Sequence, residues 1–575
     1  MSSMIWVPYL LAMASAVGLG PDPRVGRKQS VIFDRLAVDY LSAYWDFYPS
    51  WGSWAGRHEY DGVIPPRSGR KINEWVDFNR KTATALDTGR FSLLKPDEKI
   101  GLKLLRSTVA QQIIEFGDMK MHRRNPTVYG VSWGLLNLIN RNYAPLDIRA
   151  KAAVRLLEKT PEILDHARQN LDAVIPRVYC EVAVDNYKGG AEFIRVDILE
   201  AFSAVKDEAT SEKLAIAAAG AARAIEEFVQ YLETEKLPKS DDSFAIGSAV
   251  VHKLLRQTEM ISIPLKELQA LGQADLERNL ARAQAIAEKH YKGKSVREVM
   301  EMLTGSAYTA ETLIPSIADE LDTVRKFCVD KDLITIPSEV RPTVTETPKF
   351  SRWATAMMDT PGPFEKVATE AYYYVTPVDP NWSTDEQVQW LANFNKYVAT
   401  NVSVHEAYPG HYVQFLHSNR APTDLQKVLF SYAATEGWAH YTEQMMIEEG
   451  FHSDDPLYEL AQIQDALLRN CRFVCSFRMH TEGMTVEQAT RFFMDNAFVG
   501  ELPARREARR GTFDPGYFNY TLGKLQILKL REDYKKKLGD RFTIKKFHDE
   551  LLSHGMPPIA VTRGRMLGPG SGPSL

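Results

Sequence analysis

The strongest constraint on this chain is a helical period that runs from about residue 30 almost to its end. Apolar side chains return every three or four positions, which gathers them on one face of an α-helix and argues against an extended β architecture. In residues 32–48 the apolar positions are Ile32, Leu36, Tyr40, Leu41 and Trp45, and Pro49 to Gly52 supply a stop. Residues 99–116, 148–171, 211–232 and 263–290 read as further amphipathic helices, the last so charged that it is expected to be a solvated outer face. The texture changes only over residues 334–337, 340–347 and 371–375, where β-branched and aromatic residues with proline predict short strands. There Tyr372 and Tyr374 would share one strand face and Tyr373 take the other. An extended substrate can add itself to the edge of such a strand; alternatively the three rings pack helix against helix.

With 575 residues, 44% hydrophobic and 25% charged, the composition is that of an ordinary globular protein. A net charge of −4 offers no global field for nucleic acid, and the arginines of residues 502–510 are an isolated cluster. If that cluster faces a cleft, Arg509 or Arg510 can hold a carboxylate such as a peptide C-terminus. Residues 1–20 carry an apolar run and a small-residue Ala14-Ser15-Ala16 site, the pattern of a signal peptide, so an exported protein is expected. No later stretch is apolar enough to span a bilayer. Residues 21–563 form one helical unit, and residues 564–575, rich in glycine and proline, are expected to be disordered. Cys180 and Cys328 are isolated, while Cys471 and Cys475 stand one helical turn apart and read as core residues.

Chemistry concentrates in residues 399–450. His405-Glu406-Ala407-Tyr408-Pro409-Gly410-His411 places two imidazoles and a carboxylate within one short run. Zinc takes such ligands, and a catalytic site keeps three of them with a position open for water. In the familiar H-E-x-x-H form the histidines share a helix face at i and i+4. Here they are six apart, so an unbroken helix would turn them about 240° from one another. Pro409 removes a helical hydrogen bond and Gly410 tolerates unusual backbone angles, so a kink between them can return both rings to one point. Glu436, 25 residues beyond His411, can come back on an antiparallel helix after a turn at Ala421 to Asp424, with Asp424 as N-cap. Trp438 beside it suggests a buried wall, where a carboxylate needs a partner. His440, one turn after Glu436, is an alternative ligand to His411, and His480 is a candidate to hydrogen bond a ligand or substrate.

The blocks HEAYPGHYVQ, EGWAHYTE and FDPGYFNYTLGKLQILKLRE together resemble the bacterial domain-of-unknown-function-885 family, which is similar to gluzincin-type zinc metallopeptidases. That resemblance implies His405, His411 and Glu436 as zinc ligands, Glu406 as general base and Tyr520 as oxyanion donor; His480, read from its own position, is expected to assist. The expected fold is mainly α: a large two-lobed helical body with a deep central cleft and a small β element on its wall. The expected function is a zinc peptidase of short peptides. The alternatives are a metal hydrolase of a non-peptide amide or ester, and a helical binding protein with a relict metal site. A di-iron bundle would need matched Glu-x-x-His pairs on two helices, which the chain lacks.

Overall fold

The computed structural model describes residues 23–89, 91–347 and 356–575, and these are mainly α-helical with one small sheet. The expected signal segment, residues 1–20, lies outside the described residues, among which no helix is long and apolar enough to cross a membrane.

Of the periodic positions of the first helix (Pro23–Phe47), Tyr40, Leu41 and Trp45 become buried and Leu36 partly so, while Ile32 is exposed and Phe33 takes its place in the core. Tyr40, Leu41, Trp45 and Phe47 pack against Gly69–Thr88 and Pro96–Gln112, with the Phe47 ring stacked 4.6 Å from that of Trp75. The helix expected over 148–171 is two helices, Leu146–Glu158 and Thr160–Asn170. Pro161 at the start of the second has no N–H with which to continue the first. Both pack against Glu208–Tyr231 through Ala153, Leu157, Leu164, Ala221 and Phe228. The charged helix Leu265–His290 is not merely a solvated face: Leu268, Asp275, Leu276 and Asn279 are buried.

The sheet consists of β1 (Thr343–Glu346), β2 (Ala356–Asp359) and β3 (Tyr372–Val375) in the order β1-β3-β2, parallel between β1 and β3 and antiparallel between β2 and β3. Tyr372 and Tyr374 do share a face, their rings 5.7 Å apart, and Tyr373 points the other way into the core, its hydroxyl 3.3 Å from Ser403 Oγ. Because β3 is central, both its edges are occupied and it cannot take up a substrate strand. Residues 334–337 form no strand; Thr335 is tied to Asp549 instead.

The C-terminal tail differs from expectation. Residues 564–567 complete the helix Ile559–Leu567, and the chain then folds back until Ser574 is buried against Gln526 Nε2 at 2.8 Å. All four thiols are buried, and Cys471 and Cys475 belong to an apolar core as expected.

Six helices carry the candidate site: α1 (Lys396–Glu406), α2 (His411–Ser418), α3 (Tyr432–Glu448), α4 (Pro456–Thr481), α5 (Glu501–Phe513) and α6 (Asn519–Leu538).

Candidate metal centre

Helix α1 starts where the Asn395 side chain accepts hydrogen bonds from the N–H groups of Tyr397 and Val398, and it stops at Glu406. The Tyr408–Pro409 peptide is cis, and the Gly410 N–H returns to the Val404 carbonyl at 3.1 Å. The chain therefore doubles back before α2 begins at His411. A side chain at position 410 has nowhere to go, since its Cβ would stand 1.8 Å from the His405 carbonyl oxygen. Trp438 holds the elbow from α3, donating its indole N–H to the Pro409 carbonyl at 2.9 Å. The two imidazoles, which a straight helix would point apart, end with ring centroids 4.8 Å from one another.

The return to Glu436 takes two steps. Thr423, not Asp424, caps the short helix Asp424–Val428, and Ser431 caps α3. A β-region residue with a free hydroxyl accepts N–H groups from the first turn, which Asp424, already helical, cannot do. Helix α3 then lies directly on α6. A Cβ on Gly437 would come within 2.4 Å of Gly523 Cα, and one on Gly523 within 1.9 Å of the Ala433 carbonyl. This backbone contact brings Tyr520 on α6 beside Glu436 on α3.

Glu436 Oε2 lies 3.6 Å from His405 Nε2 and 3.4 Å from His411 Nε2, and one ligand atom from each residue falls within 4.8 Å of the others. That oxygen is buried and makes no hydrogen bond among the described residues. Bonds of about 2.1 Å at tetrahedral angles set ligand atoms about 3.4 Å apart. The backs of both rings are occupied. His405 Nδ1 is 2.7 Å from Glu443 Oε1, and His411 Nδ1 is 3.3 Å from Gln414 Oε1, whose amide N–H in turn bonds the Ala434 carbonyl at 3.0 Å. Those oxygens only accept, so each Nδ1 carries a proton, and it is the neutral form of each ring that offers an Nε2 lone pair towards Glu436. Three acceptors converge on one point with no donor among them. This set fits a divalent cation.

The charges of the cluster are set by the same contacts. Burial pushes the Glu436 carboxyl up, but the two imidazoles outweigh it and hold it well below the usual carboxylate range. Burial lowers His405, yet Glu436 and Glu443 on either side raise it to about 9. Glu443 is itself fully buried and held ionised by Arg469, whose Nη2 stands 3.0 Å away, and by His440.

Glu406 follows His405 directly. It is half-buried and makes no hydrogen bond or ion pair among the described residues. Tyr520 is buried, its ring 6.5 Å from that of His405 and nearly parallel to it. Burial and nearby Glu436 raise its pKa, so the phenol keeps its proton. Arg510 donates to Tyr432 Oη at 3.1 Å and reaches Tyr520 Oη at 3.4 Å, while Asp514 holds the guanidinium at 3.0 Å. Arg509, the other candidate clamp, faces Glu181 and Asp185 instead.

Two candidates fall outside the cluster. His480 donates from Nε2 to the Gly511 carbonyl at 2.8 Å and packs on Phe244, among the apolar residues between α4 and α5. It stands eleven residues, about three turns or roughly 16 Å along α4, beyond Arg469, and that distance takes it away from the triad. His440 is buried against Glu443, 3.2 Å from Oε2, and supports the site without joining it. Like Gln414, Glu443 was not among the residues that the sequence singled out. It lies seven residues, two helical turns, after Glu436, so the same α3 face that presents the ligand also presents its orienting carboxylate.

The family model described as bacterial protein of unknown function (DUF885) matches residues 49–566. No curated protein matches. Among solved structures, a "putative lipoprotein of unknown function" from Shewanella oneidensis superposes with a TM-score of 0.78 at 25% identity, over 93% of this chain and 99% of that one. A "putative lipoprotein" from Colwellia psychrerythraea gives 0.78 at 18% identity, over 93% and 98%.

Proposed function

This chain belongs to the DUF885 family of bacterial proteins, whose function is unknown, and we propose, from the chemistry of the triad, that it is a zinc-dependent hydrolase cleaving short peptides. The observation that carries this reading is the buried, unbonded Oε2 of Glu436 between two imidazole nitrogens at 3.4 and 3.6 Å. The similarity to gluzincin-type peptidases belongs to the same proposal, as does a cleft over the triad narrow enough to exclude folded proteins.

His405, His411 and Glu436 would hold the ion, with Glu443 and Gln414 fixing the imidazole tautomers. When bound, zinc supplies Lewis acidity, bringing the pKa of a water near neutral and polarising a carbonyl. Glu406 takes the proton of the attacking water and delivers it to the leaving amine. With no partner among the described residues, it is free for both transfers. Tyr520, kept protonated and accepting from Arg510, directs its own O–H to the developing oxyanion, an interaction typically worth about 3 kcal/mol at the barrier. The intact orienting groups behind both histidines favour a working site over a relict one. The lipoprotein relatives, with the apolar run in residues 1–20, support export.

Metal analysis of the purified protein, paired with Glu406→Gln, tests this. Wild type should carry about one zinc per chain, and the variant should keep the zinc while losing about 10²–10⁴-fold in turnover on short peptides. Protein without bound zinc, or a variant as active as wild type, overturns the proposal. Peptides with free and blocked termini, run beside non-peptide amides and esters, define the substrate class.

A further inference from the structure

A cavity of about 220 Å³ opens one helical turn from Glu436, with Tyr432 of α3 in its wall. Two files of rings join it to the triad. On one side Tyr432 lies 5.9 Å from Tyr520, which lies 6.5 Å from His405. On the other, Phe430 in the cavity wall leads to Trp51 at 6.1 Å, then Trp54 at 5.5 Å, Phe415 at 6.2 Å and His411 at 6.2 Å. Phe430 and Trp51 are 38% and 41% exposed, so this file is a surface that a ligand can touch. Cavity and triad are thus joined by a continuous wall of aromatic rings. Four residues of helix rise about 6 Å, which is about two residues of an extended peptide.

The cavity wall is apolar at Met119 and Leu254 and acidic at Glu115, Glu259 and Asp514. Two of these acids are satisfied. Glu259 accepts from the Ser431 hydroxyl and the backbone at the start of α3, and Asp514 is held by Arg510 and Tyr432. Glu115 makes no hydrogen bond and no ion pair among the described residues. Arg67 acts on it electrostatically but donates to the carbonyls of Phe47 and Val128 at 3.1 and 3.4 Å. A pocket with apolar walls and one unpaired carboxylate suits an aliphatic stem ending in a cation.

We infer that this cavity is a specificity pocket for a basic side chain, lysine or arginine, carried by the substrate peptide within two residues of the cleaved bond, with Glu115 as its anionic contact. The inference rests on the peptidase reading for its substrate, but not for its pocket. Burial raises the Glu115 carboxyl to about 7, consistent with an acid lacking a protein partner.

Two measurements separate the pocket from the chemistry. The first compares kcat/KM for short peptides differing only by arginine or norleucine at positions flanking the cleaved bond. The second measures agmatine, a guanidinium on an aliphatic stem, by calorimetry against the full protein. Wild type should prefer the arginine peptide at least about tenfold and bind agmatine. Glu115→Gln should lose both discriminations, and so should Gln111→Lys, which places a cation at an exposed position of the cavity wall without touching the core. Agmatine bound by wild type and lost in both variants, with no peptide cleaved, would uphold the pocket and sink the hydrolase. Peptides cleaved without preference for arginine, with agmatine unbound or bound alike by wild type and variants, would uphold the hydrolase and overturn the pocket.

Discussion

Two buried polar clusters lie side by side where α3 crosses α6, and they are built on opposite rules. In the first, Asp275 accepts from Lys524 Nζ and Asn470 Nδ2, both at 2.8 Å, and from Arg278, while Asn470 accepts from Asn279 at 2.8 Å. Donors match acceptors, and Lys524 is wholly enclosed. In the second, centred on Glu436 one residue before the glycine that meets Gly523, three acceptors face each other and the donors lie behind them. The first cluster is complete as protein. The second has the donor set that a cation would complete, and under the proposed function this difference separates a structural cluster from a working one.

The comparison breaks most sharply under two substitutions. Glu436→Gln should abolish zinc binding and turnover while leaving the fold intact, because it removes an acceptor that has no protein donor. Lys524→Met should leave zinc stoichiometry near one but lower stability by about 3–5 kcal/mol, because it strands a buried carboxylate. Thermal melts with and without chelator check both. Chelator should lower the Tm of wild type and Lys524→Met and leave Glu436→Gln unmoved. A Glu436→Gln protein that still binds zinc would remove the distinction between the clusters. A smaller effect is expected behind the ligands. Glu443→Gln keeps an acceptor for His405 Nδ1 but removes its charge, and zinc affinity measured by chelator competition should fall about 10–100-fold. An unchanged affinity would mean that Arg469 and His440, not His405, are the partners for which Glu443 is buried.

Much of this was legible in the sequence. The 3.6-residue period marked the helices, and the Pro409-Gly410 elbow between the histidines predicted a reversal that the structure contains. What was not legible depended on contacts between distant segments. Nothing local distinguishes Gly437 and Gly523 from other helical glycines, yet their backbone contact sets Tyr520 beside Glu436. The central position of β3 depends on β2, a strand that no local pattern announced. Asp275 looked like one more charge on a polar helix because its partner, Lys524, is 249 residues away. Glu443 was within reach of helical periodicity alone, since it shares a face with Glu436. The tail misled because glycine and proline content describes backbone freedom but not the buried site that receives Ser574.

The smallest effect concerns the histidine that sequence placed at the site and the structure places elsewhere. His480 is buried, its Nε2 bonded to Gly511, and burial lowers its pKa to about 4. The unfolded chain takes up a proton there near 6.5, so unfolding is coupled to protonation at this residue between about pH 6.5 and 4. The stabilisation that neutral His480 provides is therefore fully present above about 6.5 and is lost as pH falls through that window. His480→Gln should leave kcat on peptides within about twofold of wild type and lower stability at neutral pH by about 1 kcal/mol for the lost hydrogen bond. The stability-versus-pH slope between 6.5 and 4 should become shallower by about one proton. A large loss of kcat with unchanged zinc content would return His480 to the chemistry. An unchanged acid limb would mean that the ring is already solvated in the folded protein.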